Sequence, residues 1–221
     1  MNSLKSNGSK FLIEEEMVYP GALSCRGCGW SLLVRHLSAI MGKKTVYVVP
    51  ASCFSIIAGP YPLNMLKGSV VHTLFAASAA TATGVRAALD INGKSDSDVV
   101  VLAGDGGTFD IGIQALSGAA SRGENILYVC NNNGAYMNTG VQTSTATPYG
   151  AITTTNPGTS FKQSYPKDLI GIVAAHRIPY IATCSLAFLD DFRRKIKKAK
   201  KVTGFRLLMV DGPCPPGHKI P

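Results

Sequence analysis

Short uninterrupted apolar runs alternate along this chain with longer segments in which apolar residues recur at helical spacing. The apolar runs predict five strands, at 45–51, 98–103, 125–131, 178–184 and 205–212. Each is a continuous apolar row rather than an alternation of apolar and polar positions. Continuous rows are typical of strands that are covered on both faces of a parallel sheet.

The segments between these runs predict helices. Apolar residues at helical spacing lie at 29–42, 72–89, 109–123, 167–177 and in the basic segment near 189–201. Strands and helices therefore alternate, which predicts an α/β fold: a doubly wound, mostly parallel sheet with helices on both faces. We expect a single domain over 1–221, in which 1–24 form an irregular lead-in.

One long segment interrupts the alternation. Residues 134–165 are rich in Gly, Thr, Ser, Asn and Pro and carry no periodic apolar pattern. A loop of this length inside a compact domain is usually functional or disordered.

Composition narrows the class of protein. Hydrophobic residues make up 46% and charged residues 16%, which is globular and argues against disorder. The apolar stretches are too short or too broken to cross a membrane, and residues 1–10 lack an apolar signal core. We therefore expect a cytoplasmic location without membrane binding, where six cysteines favour metal or redox chemistry over disulfides.

The positive charge is concentrated in one segment. The formal net charge is +9, and seven of the 22 basic residues lie at 193–201. An apolar stripe in the same segment favours a solvated helix face. A docking face for an acidic protein is the second interpretation, and nucleic acid is not expected because no recognition motif accompanies the charge.

Unusual residues follow three of the predicted strands. Cys53 follows the first, Gly-Asp-Gly-Gly at 104–107 follows the second, and an asparagine run at 131–133 follows the third. Ligands of doubly wound sheets bind beyond the carboxyl ends of the strands, so these features predict one site.

Asp105 and Asn133 are 28 positions apart, one after each of two consecutive strands. Carboxylate and amide oxygens are ligands that Mg²⁺ accepts, and protein-bound Mg²⁺ usually also holds phosphates. Gly104, Gly106 and Gly107 would let backbone N–H groups approach a diphosphate. The alternative interpretation is a tight turn in which Asp105 caps the following helix.

Four cysteines in three segments form the second candidate group: Cys25, Cys28, Cys53 and Cys214. Such a set can hold a [4Fe–4S] cluster or a structural zinc ion, and the residues alone leave both open. A thioredoxin-like pair is not favoured, because the C-x-x-C precedes the first strand. Cys130 and Cys184 lie inside apolar strands and predict buried small side chains.

The Gly-Asp-Gly to Asn-Asn spacing resembles the thiamine diphosphate fingerprint. The resemblance implies that the side chains of Asp105 and Asn133 and the backbone carbonyl of Ala135 bind Mg²⁺. Two diphosphate oxygens and a water would complete the octahedron.

Both groups together resemble the 2-oxoacid:ferredoxin oxidoreductases, of which pyruvate synthase is the best known, and specifically their thiamine diphosphate-binding beta subunit. The motifs are C-x-G-C-G at 25–29, Cys53, GDGGTFDIG, NNNGAYMNTGVQTSTATP and DGPCPPG. The resemblance implies that Cys25, Cys28, Cys53 and Cys214 ligate a [4Fe–4S] cluster. It also implies that Asn138 is catalytic, that Thr139 shapes the cofactor loop, and that Cys53 faces the cofactor.

The implied activity is oxidative decarboxylation of a 2-oxoacid, pyruvate or a related acid, to acyl-CoA and CO₂. Electrons would pass through the cluster to ferredoxin. Because no carboxylate in this chain is placed to activate the cofactor, the resemblance implies an alpha subunit that carries the pyrimidine-binding domain and the activating Glu. Gamma and ferredoxin-like delta subunits, or their equivalents, and coenzyme A are the further implied partners.

The resemblance also implies departures from the family pattern, among them Ala76-Ala77, where a Glu-Asn pair is common. Asn132 stands where an acidic residue is common, and Gly134 where Glu is common, so the 2-oxoacid stays open. A non-oxidative thiamine diphosphate-dependent decarboxylase or synthase is the first alternative, although it has no use for four placed cysteines. A non-catalytic assembly subunit is the second.

Overall fold

A computed structural model describes residue 13 and residues 15–220 of the chain. In that part of the chain, strands and helices alternate almost throughout, with one π-helical turn at Gly106–Asp110. The strands are β1 Thr45–Pro50, β2 Ser69–Thr73, β3 Asp98–Gly104, β4 Leu127–Asn132, β5 Tyr180–Ser185 and β6 Arg206–Asp211. The helices are α1 Gly29–Met41, α2 Cys53–Ala58, α3 Ser78–Ile91, α4 Ile113–Ser121, α5 Leu169–Ala174 and α6 Leu189–Lys201.

The strands form one sheet in the order β2-β1-β3-β4-β6-β5, and every neighbouring pair is parallel. The predicted fold class is therefore confirmed. The register pairs Gly104 with Asn131 and Asn132 with Asp211, so the carboxyl ends of β3, β4 and β6 lie side by side.

Successive strand residues face opposite sides of the sheet and divide the core into two layers. On β4, Leu127 and Val129 pack with α1, α2 and α6, whereas Tyr128 and Cys130 pack with α3, α4 and α5. Cys130 and Cys184 are buried free thiols, as predicted. Helices therefore cover both faces, which explains the continuous apolar rows.

Two elements were not predicted from the sequence. Strand β2 is a half-exposed edge strand whose five residues give no continuous apolar row. Helix α2 begins at Cys53 itself, so this cysteine lies on the first turn of a helix rather than in a loop.

Two helix starts differ from the prediction. Helix α3 begins at Ser78, six residues after the predicted start. The predicted helix at 109–123 is a π-helical turn followed by α4, and a π-turn is often found at a functional site.

Helix α6 confirms the prediction of an amphipathic basic helix. Phe192, Ile196 and Ala199 are buried on the sheet, and Asp190 and Asp191 lie in its first turn. Along the residues that the structure covers, no helix is both long and apolar enough to cross a bilayer.

Two glycines provide a matched test of the π-helical turn. A Cβ at Gly112 would lie 2.0 Å from the backbone oxygen of Gly107, whereas a Cβ at Gly84 in α3 would meet nothing within 4 Å. We expect Gly112→Ala to lower the free energy of unfolding by roughly 2 kcal/mol or more. Gly84→Ala should raise it by about 0.5–1 kcal/mol, because it restricts the unfolded chain. Denaturant unfolding of both variants is the measurement, and equal effects would contradict the tight turn.

Candidate functional site

Asp105 follows β3 and is buried, with 1% of its surface exposed. Its Oδ2 accepts a hydrogen bond of 2.5 Å from the hydroxyl of Ser144. Burial raises the pKa of Asp105 from 3.8 to about 6, and the bond from Ser144 opposes part of that rise. The alternative role as a helix cap is not supported, because the Asp105 side chain makes no capping hydrogen bond.

Asn133 brings its side-chain amide to the same point. One of the two terminal atoms of its amide, oxygen or nitrogen, lies 3.0 Å from Asp105 Oδ1 and 2.9 Å from the backbone oxygen of Ala135. With the amide nitrogen at that position, Asn133 donates hydrogen bonds to both oxygens. With the amide oxygen there, three oxygens converge, and only a cation would stabilise such a group.

Position 106 has no room for a side chain, because an aromatic ring packs directly against its backbone. A Cβ at Gly106 would lie 2.1 Å from the ring of Tyr136. The Tyr136 hydroxyl donates a hydrogen bond of 2.5 Å to Asp110, at the end of the π-helical turn. A Cβ at Gly104, by contrast, would meet nothing within 4 Å, so the backbone at this glycine faces open space.

These residues surround a cavity of about 200 Å³, which we call the aspartate cavity. Every residue predicted to bind the cofactor lines it: Cys53, Gly104, Asp105, Gly106, Gly107, Asn133, Ala135, Asn138 and Thr139. Trp30 and Phe75 add aromatic walls. Asp105 is the one carboxylate among the described residues that line it.

The long loop is held in place by a buried lysine that the sequence analysis missed. Lys162 Nζ donates to the backbone oxygens of Ser144 and Thr145 at 3.3 Å and to that of Thr147. Thr147 in turn donates to the backbone oxygen of Gly134 at 2.6 Å. Lys162 therefore fixes the turn that presents the Ser144 hydroxyl to Asp105. A single lysine in a polar loop gives no sequence signal for this role.

The four candidate cysteines line a second cavity of about 180 Å³, which we call the cysteine cavity: Cys25, Cys28, Cys53 and Cys214. Two backbone hydrogen bonds of 3.1 Å shape its rim, from Cys28 N to Cys25 O and from Gly29 N to Pro213 O. The structure thus brings the three cysteine segments together. In the described ranges, no group of three or more His, Cys, Asp or Glu side chains is arranged to hold a metal ion.

Burial governs the acidity of these thiols. It raises the pKa of Cys53 to about 11, with smaller contributions from the other three thiols, and it raises the pKa of Cys28 above its ordinary value. Without a positive partner, both cysteines are protonated at neutral pH. A metal centre would supply the charge that thiolates require.

The aspartate cavity and the cysteine cavity share a wall. Trp30, Cys53, Asn133 and Asn138 line both. Trp30 stacks on Phe54 with ring centres 4.7 Å apart, which fixes the wall against the start of α2. A group bound in one cavity would therefore lie next to a group bound in the other.

Asn132 and Gly134, the expected departures from the family pattern, lie outside the aspartate cavity. The Asn132 amide donates to Asp211 Oδ1 at 3.1 Å, and Asn132 lines a larger neighbouring groove of about 800 Å³. Gly134 has a φ of 78°, in the left-handed region where a longer side chain is strained. Glycine at position 134 therefore suits the left-handed backbone conformation that the chain adopts there.

Known proteins share both the sequence and the fold. Residues 51–210 match the thiamine pyrophosphate enzyme family, C-terminal TPP binding domain. The ketoisovalerate oxidoreductase subunit VorB of Pyrococcus furiosus is 46% identical over 215 residues, which are 94% of this chain and 69% of VorB. The pyruvate synthase subunit PorB of Methanothermobacter thermautotrophicus is 46% identical over 207 residues, which are 92% of this chain and 72% of PorB.

A solved structure supports the fold. The 2-oxoglutarate:ferredoxin oxidoreductase from Magnetococcus marinus aligns with a TM-score of 0.79 at 24% identity, over 95% of this chain and 70% of that one. Both sequence relatives are named as subunits, which implies a multi-subunit enzyme. This chain therefore belongs to the 2-oxoacid:ferredoxin oxidoreductase family, as an oxidoreductase subunit that carries the thiamine pyrophosphate-binding domain.

Proposed function

We propose that this chain holds thiamine diphosphate in the aspartate cavity and a [4Fe–4S] cluster in the cysteine cavity of a 2-oxoacid:ferredoxin oxidoreductase. A 2-oxoacid, coenzyme A and two oxidised ferredoxins would give acyl-CoA, CO₂, two reduced ferredoxins and a proton. The observation that carries the proposal is the wall shared by Trp30, Cys53, Asn133 and Asn138. It would bring the site of carbon chemistry next to the electron acceptor.

The arrangement of oxygens supports Mg²⁺ at Asp105, Asn133 and the carbonyl of Ala135. Octahedral Mg²⁺ binds oxygens at about 2.1 Å, which sets neighbouring ligand oxygens about 3 Å apart. The separations of 2.9 and 3.0 Å suit that spacing when the Asn133 amide oxygen faces Asp105, and they suit hydrogen bonds when the amide nitrogen faces it. The ion would also supply the positive charge that the buried Asp105 carboxylate needs. Open backbone at Gly104 leaves room beside these groups for a diphosphate.

The space between the cysteines supports a cluster rather than a single zinc ion. Zinc draws four sulfurs to within about 2.3 Å of one point, which leaves no cavity between them. Here Cys25, Cys28, Cys53 and Cys214 all line one cavity of about 180 Å³, which leaves room for a group larger than a single ion. A cluster of iron and sulfide fills such a space and keeps the thiols ionised.

The residues of this chain would position rather than activate the reactants. When bound, thiamine diphosphate supplies an electron sink for decarboxylation. Asp105 and Asn133 would anchor its diphosphate through the metal, and Trp30 and Phe75 would exclude water. Asn138 and Thr139 are exposed at the rim of the cavity, where an incoming 2-oxoacid can reach them.

A partner subunit would complete the site. Cofactor activation needs a second carboxylate, and Asp105 is engaged with Ser144 and Asn133. We therefore assign the activating Glu to an alpha subunit with a pyrimidine-binding domain. Gamma and ferredoxin-like delta subunits would carry the electrons onward to ferredoxin.

The overall activity can be tested on the complex purified without oxygen. We expect reduction of a viologen dye that requires a 2-oxoacid, coenzyme A, thiamine diphosphate and Mg²⁺ together. A panel of pyruvate, branched-chain, aromatic and dicarboxylic 2-oxoacids would identify the substrate. CO₂ release without dye reduction would favour the non-oxidative decarboxylase instead.

The metal assignment predicts opposite effects of Asp105→Asn on stability and on cofactor binding. Because the folded pKa is raised, the folded chain binds the Asp105 proton more tightly than the unfolded chain. Stability therefore falls as pH rises between about 4 and 6 and stays lower above that range. Asp105→Asn should therefore raise the free energy of unfolding by about 3 kcal/mol at pH 8 and by less at pH 5. Thermal unfolding of the metal-free chain at both pH values measures the difference.

The same Asp105→Asn substitution should weaken Mg²⁺-dependent thiamine diphosphate binding in the assembled complex by roughly a hundredfold or more. Isothermal titration with and without Mg²⁺ measures this loss. A stabilised variant that bound the cofactor normally would contradict the metal assignment.

The cluster assignment can be tested with a matched pair of cysteines. Cys28→Ala should remove most of the iron and sulfide from the anaerobic complex, because a cluster ligand is lost. Cys130→Ala changes a buried thiol on the other face of the sheet and should leave the iron content unchanged. Metal and sulfide analysis of both variants is the measurement. Zinc without iron in the unmodified complex would contradict the cluster.

A further inference from the structure

Asn131 is a polar residue at the end of an apolar row. On β4, Leu127, Val129 and Asn131 face the same side of the sheet because strand residues alternate. Leu127 and Val129 belong to the core beneath α1 and α2. Asn131 takes the next position in that row and lines the cysteine cavity. An apolar residue would continue the core, so the carboxamide needs an explanation.

The Asn131 side chain lacks a partner in the part of the chain that the structure describes. The residue is 1% exposed, and its Oδ1 is buried without a hydrogen bond. Leaving a buried polar atom unpaired costs about 1–3 kcal/mol. Among the described residues the Asn131 Nδ2 group has no acceptor either, and an unused N–H donor on a side chain that lines the cavity points to an acceptor bound there.

The position of Gly212 shows which end of the Asn131 amide faces this glycine and which end faces away from it. A Cβ at Gly212 would lie 2.1 Å from Asn131 Oδ1 but 3.4 Å from Nδ2. The oxygen therefore packs against the Gly212 backbone, and the NH₂ group is the end left for the cavity. Glycine at 212 makes the space that this orientation requires.

We propose that Asn131 Nδ2 donates a hydrogen bond to a sulfur of the cluster in the cysteine cavity and raises its reduction potential. The inference rests on the proposed cluster and adds a residue that tunes it. Cluster sulfurs are hydrogen-bond acceptors that become more negative on reduction. An N–H donor thus stabilises the reduced state more than the oxidised state, and hydrogen bonds to sulfur are one determinant of cluster potential.

The other carboxamides on this cavity are engaged or exposed. Asn133 interacts with Asp105 and Ala135, and Asn138 is open to solvent. Much of the remaining wall is apolar, with Leu23, Ile56 and Ile57 among its residues. In such surroundings one buried N–H donor has a large effect, because the effective dielectric constant is low.

The test compares Asn131→Leu and Asn131→Asp in the anaerobic complex. Leucine has similar volume but no donor, and aspartate keeps the shape but presents only acceptors when ionised. Asn132→Ser is the matched control, because Asn132 faces Asp211 and lies outside the cysteine cavity. Iron and sulfide are measured first, and the cluster is then titrated with reductant and followed by electron paramagnetic resonance.

We expect Asn131→Leu to retain the cluster and to lower its one-electron reduction equilibrium constant about tenfold, which is 59 mV. Asn131→Asp should lower it further, and Asn132→Ser should leave it unchanged. If Asn131→Leu lost iron, retention of the cluster in Asn131→Asp with a lowered potential would still support the proposal.

Two results would overturn the inference while leaving the proposed function intact. One is an unchanged potential in an iron-replete Asn131→Leu complex. The other is loss of iron in both variants, which would make Asn131 structural. Absence of iron and sulfide from the unmodified complex would instead overturn the proposed cluster, and the inference with it.

Discussion

The parallel pairing of β3 with β4 is the constraint on which the site depends. Because both strands run in the same direction and are in register at Gly104 and Asn131, their carboxyl ends deliver Asp105 and Asn133 to one point. Neither side chain could reach the other from an antiparallel arrangement of these strands. Burial of Asp105 makes its ionised form costly unless a positive charge lies nearby, and none of the described residues supplies one at that position.

A second layer of contacts holds this point in place from the loop that follows β4. Lys162 binds the turn at Ser144, and Ser144 binds Asp105. Tyr136 packs on Gly106 and binds Asp110, which ties the same loop to the π-helical turn. Hydrogen bonds therefore anchor the long polar segment to the site at several points, although it contains little regular structure.

The sequence predicted those features that follow from periodicity and from the position of strand ends. The sheet, the helices on both faces, and the grouping of Asp105 with Asn133 belong to this class. The four cysteines also met at one cavity, as the motif order indicated. Edge strand β2 and short helix α2 were missed because a half-exposed or six-residue element leaves no clear apolar period. Ser144, Lys162 and Asn131 were missed because their roles come from tertiary contacts between distant segments.

The shared wall has a consequence for the order in which the two groups enter. Cys53 belongs to both cavities, and its helix is stacked on Trp30 through Phe54. Whichever of the two proposed groups binds first would restrict this segment. The second group would then cost the segment less conformational entropy on binding. Their affinities would then be thermodynamically linked, with the same coupling free energy in either direction. Maturation of the metal centre and capture of the vitamin-derived cofactor would become cooperative steps of one assembly process.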